Sequence, residues 1–170
     1  MGKEVGDRAV HPNDHVNYGQ SSNDVIPTAM HVSALEAVEK DLLPALETLA
    51  TSLEEKADEF ADVVKTGRTH LQDATPITLG QEFEGYRTQV EKGVTRVENT
   101  REHLGELALG GTAVGTGLNT DPEFPELAAE YMSEETGLAF READSHFEAQ
   151  AAHDAMSEAH GALRTVAGSM

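Results

Sequence analysis

From Leu79 to about Leu109 the apolar residues Phe83, Tyr86, Val90, Val94, Val97, Leu104 and Leu107 return at helical spacing, with no proline among them. Such a run exceeds an ordinary globular helix and needs a partner along its apolar face. The chain therefore reads as mostly α, a bundle of long helices. Thr78-x-x-Gln81 in front of the run matches a capping box. A second stripe joins Val25, Ala29, Val32, Leu35, Ala37 and Val38, and a third joins Leu42, Leu46, Leu49, Leu53, Ala57 and Phe60. Between them, Asp41-Leu42-Leu43-Pro44 predicts a break and a restart with Asp41 as N-cap. Asp121-Pro122 caps a helix that stops before Gly137. Ser145-x-x-Glu148 opens a last one, with Phe147, Ala151, Ala155, Ala159 and Leu163 inside.

Composition narrows the function classes. At 170 residues there is enough chain for one domain with a sizeable core. Cysteine is absent, which excludes disulfides, thiolate metal sites and cysteine nucleophiles. A net charge of −19 argues against nucleic-acid binding. No apolar run approaches the roughly 20 residues of a membrane span, and no signal peptide opens the chain. A soluble cytoplasmic protein is expected. The acids are spread over helix faces (Glu54, Glu55, Asp58, Glu59, Asp62), the reading of a solvated surface. They also suit a high-salt cytoplasm, where a Debye length of about 3 Å at 1 M screens their repulsion. A halophilic source is expected on that ground.

Chemistry-bearing side chains gather between the helical stripes. Residues up to about Asn17 read as loop, and within them His11-Pro12-Asn13-Asp14-His15 offers ligand atoms without fixing a metal site. Ser21-Ser22-Asn23-Asp24 precedes the first stripe. Ser22, Asn23 or Asp24 is its N-cap, and Pro27 is placed in its first turn. Hydroxyls, an amide and free N–H groups at a helix start also make an anion site, and the two readings are compatible. Gly67 to Ala74 reads as a polar connector closed by Pro76, with Thr69 beside His70. An imidazole there can exchange a proton near neutrality or serve only structure. The run Gly110 to Asn119 is glycine-rich, with no strand before it. It is either a flexible helix connector or a loop of N–H nests. His153 and His160, two turns apart, lack a third ligand and read as surface or packed histidines.

Four of these motifs, His11-Pro12-Asn13-Asp14, Ser21-Ser22-Asn23-Asp24, Gly67 to Ala74 and Ala108 to Asn119, together resemble the class II fumarase family of the fumarase/aspartase superfamily. Ser22 and His70 stand where aspartases usually carry threonine and glutamine, and Leu109-Gly110-Gly111-Thr112-Ala113 points the same way. The resemblance implies a long-helix bundle assembled as a homotetramer with active sites shared among subunits. It implies a lyase of the citric acid cycle that hydrates fumarate to (S)-malate without a cofactor or metal. By motif, Ser21, Ser22 and Asn23 would bind the dicarboxylate with Thr69 beside them, and His70 would be the catalytic histidine. His11, Pro12, Asn13 and Asp14, with Arg8, would form the family's second dicarboxylate site.

The chain also departs from the family pattern. An upstream Ser-Gly-Thr segment, the downstream loop carrying the basic serine, and the C-terminal small domain are not in this sequence. Residues 1–170 are therefore expected to be a partial central lyase domain with little activity alone. The competing readings are an aspartate ammonia-lyase-like enzyme and a catalytically silent helical interaction fragment.

Overall fold

A computed structural model describes residues 10–170. Its helices are α1 (Ser22–Ala37), α2 (Leu43–Glu59), α3 (Leu79–Glu98), α4 (Arg101–Leu104), α5 (Phe124–Thr136), α6 (His146–Ala151) and α7 (Asp154–Ser169). An antiparallel hairpin of β1 (Val64–Thr69) and β2 (Gln72–Thr78) lies between α2 and α3. A short parallel pair joins β3 (Glu106–Leu107) to β4 (Arg141–Glu142). The fold is mostly α, as expected. The chain divides into two compact units: residues up to Leu35 with Glu102–Met156, and Glu36–Arg101 with Ser157–Met170. No helix among the described residues is long and apolar enough to cross a membrane.

In the second unit α2 packs against α3. Val38, Leu43, Leu46, Val90, Val97 and Val166 form the buried cluster between these elements and α7. Each such side chain contributes about 1.5–3 kcal/mol when fully buried. Gly93 lets α7 come close, since a Cβ there would lie 3.1 Å from Val166 Cγ2. The expected break before Pro44 does not occur. Val38–Leu42 forms a π turn instead, and Ala37, Leu42 and Leu43 all keep right-handed helical angles, so Asp41 is not an N-cap. A widened turn accommodates a proline ring that would otherwise press on the carbonyl four residues back.

Two expected helices are shorter than their apolar periods. The run from Leu79 ends as α3 at Glu98. Just beyond, Thr100 donates its hydroxyl to the Val97 carbonyl at 2.7 Å, a local bond that competes with helix propagation. The last helix starts with Ser145 as N-cap, as expected, but Ala152 is extended (φ −104°, ψ 150°) and separates α6 from α7. The capping box of Thr78 and Gln81 is present at the start of α3. In the first unit Leu104, Leu107, Ala108, Ala129, Phe140 and Ala143 are buried. There α5 stops at Gly137 in the left-handed conformation, as the sequence indicates, although its N-cap is Glu123, while Asp121 accepts from the Glu123 N–H through its carboxylate and from the Phe124 N–H through its carbonyl.

Candidate functional site

The start of α1 is built by two residues of the Ser21–Asp24 motif. Ser21, and not Ser22, Asn23 or Asp24 as expected, is the N-cap: its carbonyl accepts from the Val25 N–H at 3.0 Å and its Oγ from the Asn23 N–H at 3.2 Å. Asp24 returns the bond, its Oδ1 accepting from the Ser21 N–H at 2.9 Å. The other oxygen of Asp24 accepts from the N–H groups of Gly110 at 3.1 Å and Thr112 at 3.0 Å. Asp24 is fully buried. A buried carboxyl is stable only when hydrogen-bonded, and here the glycine-rich run supplies the donors. That run does form an N–H nest, and it encloses the protein's own carboxylate. Pro27 lies in the second turn of α1, beyond the first-turn place expected for it, and because proline has no N–H the Asn23 carbonyl receives no helical bond from position 27.

The loop is gripped from its carbonyl side as well. Asn23 Nδ2 donates to the Ala113 carbonyl at 2.7 Å, and Gln150 Nε2 donates to the Thr112 carbonyl at 2.6 Å. His146 Nε2 lies 3.2 Å from the Leu109 carbonyl. The loop's path demands glycine at Gly110, where φ is +101° and a Cβ would meet Pro125 Cγ at 2.3 Å. His146 and Gln150, one turn apart on α6, were not singled out in the sequence. Their spacing behind the Ser145 cap is the signal that was available.

Two cavities flank the α1 start. One, of about 400 Å³, has Asn13, Tyr18, Ser21, Thr112 and Asn119 in its wall. The other, of about 550 Å³, is lined by Ser22, Asn23, Met30, Phe147, Gln150 and His153 among others. The structure thus places all three expected substrate-binding residues of this motif at cavities. Ser22 and Asn23 are exposed.

His11, Pro12, Asn13 and Asp14 belong to a π turn, Pro12–Val16, where a loop was expected. His11 caps it, Nδ1 accepting from the N–H groups of Asn13 and Asp14 at 3.2 Å each. The proton of a neutral His11 is therefore on Nε2, and the Asp14 carboxylate 3.2 Å from Nδ1 is a neighbour of that lone pair. His15 Nδ1 accepts from the His11 N–H at 2.8 Å. Arg8 lies outside the described residues.

Thr69 and His70 sit at the tip of the β1–β2 hairpin in the second unit, where an irregular connector was expected. Thr69 pairs with Gln72, so His70 and Leu71 are the two turn residues, both at positive φ (50° and 61°). This is the sign pattern of a type I′ turn, which usually takes Asn-Gly. His70 is exposed. Its position is set by backbone pairing below it. Gly67 faces a bulge in β2, and a Cβ there would lie 2.5 Å from the Thr75 carbonyl oxygen. Arg68 Nε and Asp73 Oδ1 pair across the strands at 3.3 Å, so Arg68 is not an uncommitted cation. Lys65 is hydrogen-bonded to Glu82 on α3, which also accepts from the Tyr86 hydroxyl at 2.8 Å. These two bonds, Lys65 first, hold the Glu82 carboxyl below its ordinary range.

A family model described simply as lyase matches residues 1–170. The chain belongs to this lyase family. Among its relatives, fumarate hydratase class II of Halobacterium salinarum is 76% identical over 92% of this chain and 33% of the relative's length. Fumarate hydratase class II of Nitrosomonas europaea is 59% identical over 94% of this chain and 35% of its own length. Among solved structures, class II fumarase from Schistosoma mansoni superposes with a TM-score of 0.86 at 40% identity, covering 95% of this chain and 37% of that one. A fumarate lyase:delta crystallin from Brucella melitensis gives 0.93 at 39% identity, covering 99% and 36%. The lyase chain thus spans about a third of the length of the curated relatives it matches.

Proposed function

We propose that this chain is part of a fumarate hydratase, which adds water reversibly across the double bond of fumarate to give (S)-malate. The observation that carries the reading is the α1 start. Asp24 takes up the N–H groups of the glycine loop and leaves the Ser22 hydroxyl and the Asn23 amide facing a cavity. The likeness to named fumarate hydratases supports it.

In this reading Ser21, Ser22 and Asn23 hold the dicarboxylate with Thr69, while His70 moves the proton of the water that is added or lost. Removing the proton α to a carboxylate builds negative charge on its oxygens. A fixed donor aimed at such charge is worth about 2.7–4 kcal/mol. Asn23 keeps one amide N–H beyond its bond to Ala113. His11, Pro12, Asn13 and Asp14, with Arg8, are the proposed second dicarboxylate site. The serine base belongs, on this proposal, to the part of such enzymes that these residues do not cover, as does the remainder of the substrate site. The protein is proposed to act as a homotetramer in the cytoplasm of a halophile, consistent with its charge of −19 and its Halobacterium relative.

The test follows fumarate by its ultraviolet absorbance. The protein at its natural length is expected to consume fumarate and form malate, and His70→Asn to lose most of that turnover. Residues 1–170 alone are expected to show little. Formation of aspartate from fumarate and ammonia, in place of malate, would overturn the assignment in favour of an ammonia-lyase.

A further inference from the structure

The α6–α7 break gives the larger cavity a feature that helical periodicity hides. A continuous helix through Ser145 and Leu163 would make His153 one more residue on a helix face. Instead Ala152 is extended, α7 begins only at Asp154, and His153 sits in the two-residue joint. There it lines the same cavity as Ser22 and Asn23. Among the described residues in that wall it is the one side chain able to carry a charge; the others are serine, amide and apolar groups. Gln150, three residues earlier, is bonded to the Thr112 carbonyl and ties this end of α6 to the loop that Asn23 also holds. His153 is thereby carried on a wall fixed to the α1 start.

A dicarboxylate entering a protein of net charge −19 needs a local cation. Ser22 and Asn23 supply neutral donors to one end of such a molecule. We infer that His153 is a further substrate-binding residue, holding one carboxylate of the dicarboxylate while Ser22 and Asn23 hold the other. The inference rests on the fumarate hydratase reading and adds to it a specificity element. A ring N–H donor in the same wall as Ser22 and Asn23 selects a diacid over a mono-acid by holding the second carboxylate. A charge-assisted bond of this kind is stronger than a neutral one.

Steady-state kinetics of the protein at its natural length test this with His153→Gln, His153→Arg and Ser22→Ala. His153→Gln is expected to raise KM for fumarate about tenfold with kcat within about twofold, and His153→Arg to restore KM. Because His153 is exposed, neither variant disturbs packing, and circular dichroism should be unchanged. If Ser22→Ala raises KM while His153→Gln leaves it within twofold, the role of His153 is overturned and the hydratase reading stands. A fall in kcat that arginine does not rescue also overturns it, since that marks a structural role. Absence of fumarate turnover in the unsubstituted protein overturns both.

Discussion

The carboxyl of Asp24 and the amide of Gly110 are 86 positions apart in the chain and 3.1 Å apart in space. That bond, with its companions to Thr112 and Ser21, makes the helix start and the glycine loop one structure. Replacing Asp24 by alanine would leave buried N–H groups without acceptors, each worth about 1–3 kcal/mol. Asp24→Ala is expected to destabilise the protein by about 3 kcal/mol or more, read as the shift of a urea unfolding midpoint at constant m-value. Asp24→Asn retains one acceptor oxygen and should lose less.

A methyl group at Gly110 or Gly67 should act at a distance from its own position. Gly110→Ala combines a positive φ with a 2.3 Å approach to Pro125. Gly67→Ala forces a carbonyl oxygen of β2 away from 2.5 Å. Both are expected to destabilise by about 2 kcal/mol or more. Gly85→Ala, where the space is open, is the control and should stabilise α3 slightly. Thermal unfolding of the three variants separates these outcomes.

The ion pair of Lys65 with Glu82 predicts a pH response. Glu82 is held below its ordinary pKa, first by the Lys65 bond and then by Tyr86. A depressed carboxyl contributes stability that is full above its unfolded pKa and disappears as pH falls through the folded one. Tyr86 is held above its ordinary value by the same Glu82, so its contribution is full below the tyrosine range and lost as pH rises beyond it. Glu82→Gln should therefore flatten stability at both the acid and the alkaline limb. Unfolding midpoints measured in steps from pH 3 to 11 would show no such flattening if the bonds are inconsequential. Tyr86 is exposed and Glu82 half-buried, and the differences should shrink in high salt.

Salt itself should stabilise the whole protein. With 31 acidic against 12 basic residues, self-repulsion dominates at low ionic strength and is screened at molar KCl. Refolding stability is expected to rise from 0.1 to 3 M KCl, tested over that range at fixed pH. A flat series would argue against a halophilic source.

Elements announced by cap chemistry were legible in the sequence: Thr78 with Gln81, Ser145, and the stop at Gly137. The hairpin was not. Val64–Thr69 and Gln72–Thr78 are mostly exposed on both faces, so they carry no apolar alternation, and their turn is His-Leu where Asn-Gly would have signalled it. Pro44 looked like a boundary because a π turn leaves no sequence mark of its own. At the candidate site, Ser21 to Asn23 stood out by composition. The grips of His146 and Gln150 on backbone carbonyls did not, since they join residues 37 and 38 positions apart.

Leu71→Gly offers a separate test of what the hairpin tip is for. Leu71 is 95% exposed at φ 61°, a conformation costly to a bulky L-residue. Glycine there should stabilise the isolated fold by up to about 1 kcal/mol. On the proposed hydratase reading, a stabilised protein with reduced fumarate turnover would mean that Leu71 serves contacts made at work.

The tip also has a handedness. Two successive residues at positive φ trace the mirror image of the turn that L-amino acids favour, and the right-handed twist of the flanking strands imposes it. A D-amino acid introduced at position 71 by chemical ligation would lie there relaxed. His70 is therefore aimed by chirality: strand pairing compels its backbone into an inverted turn, and its imidazole points where that inversion sends it.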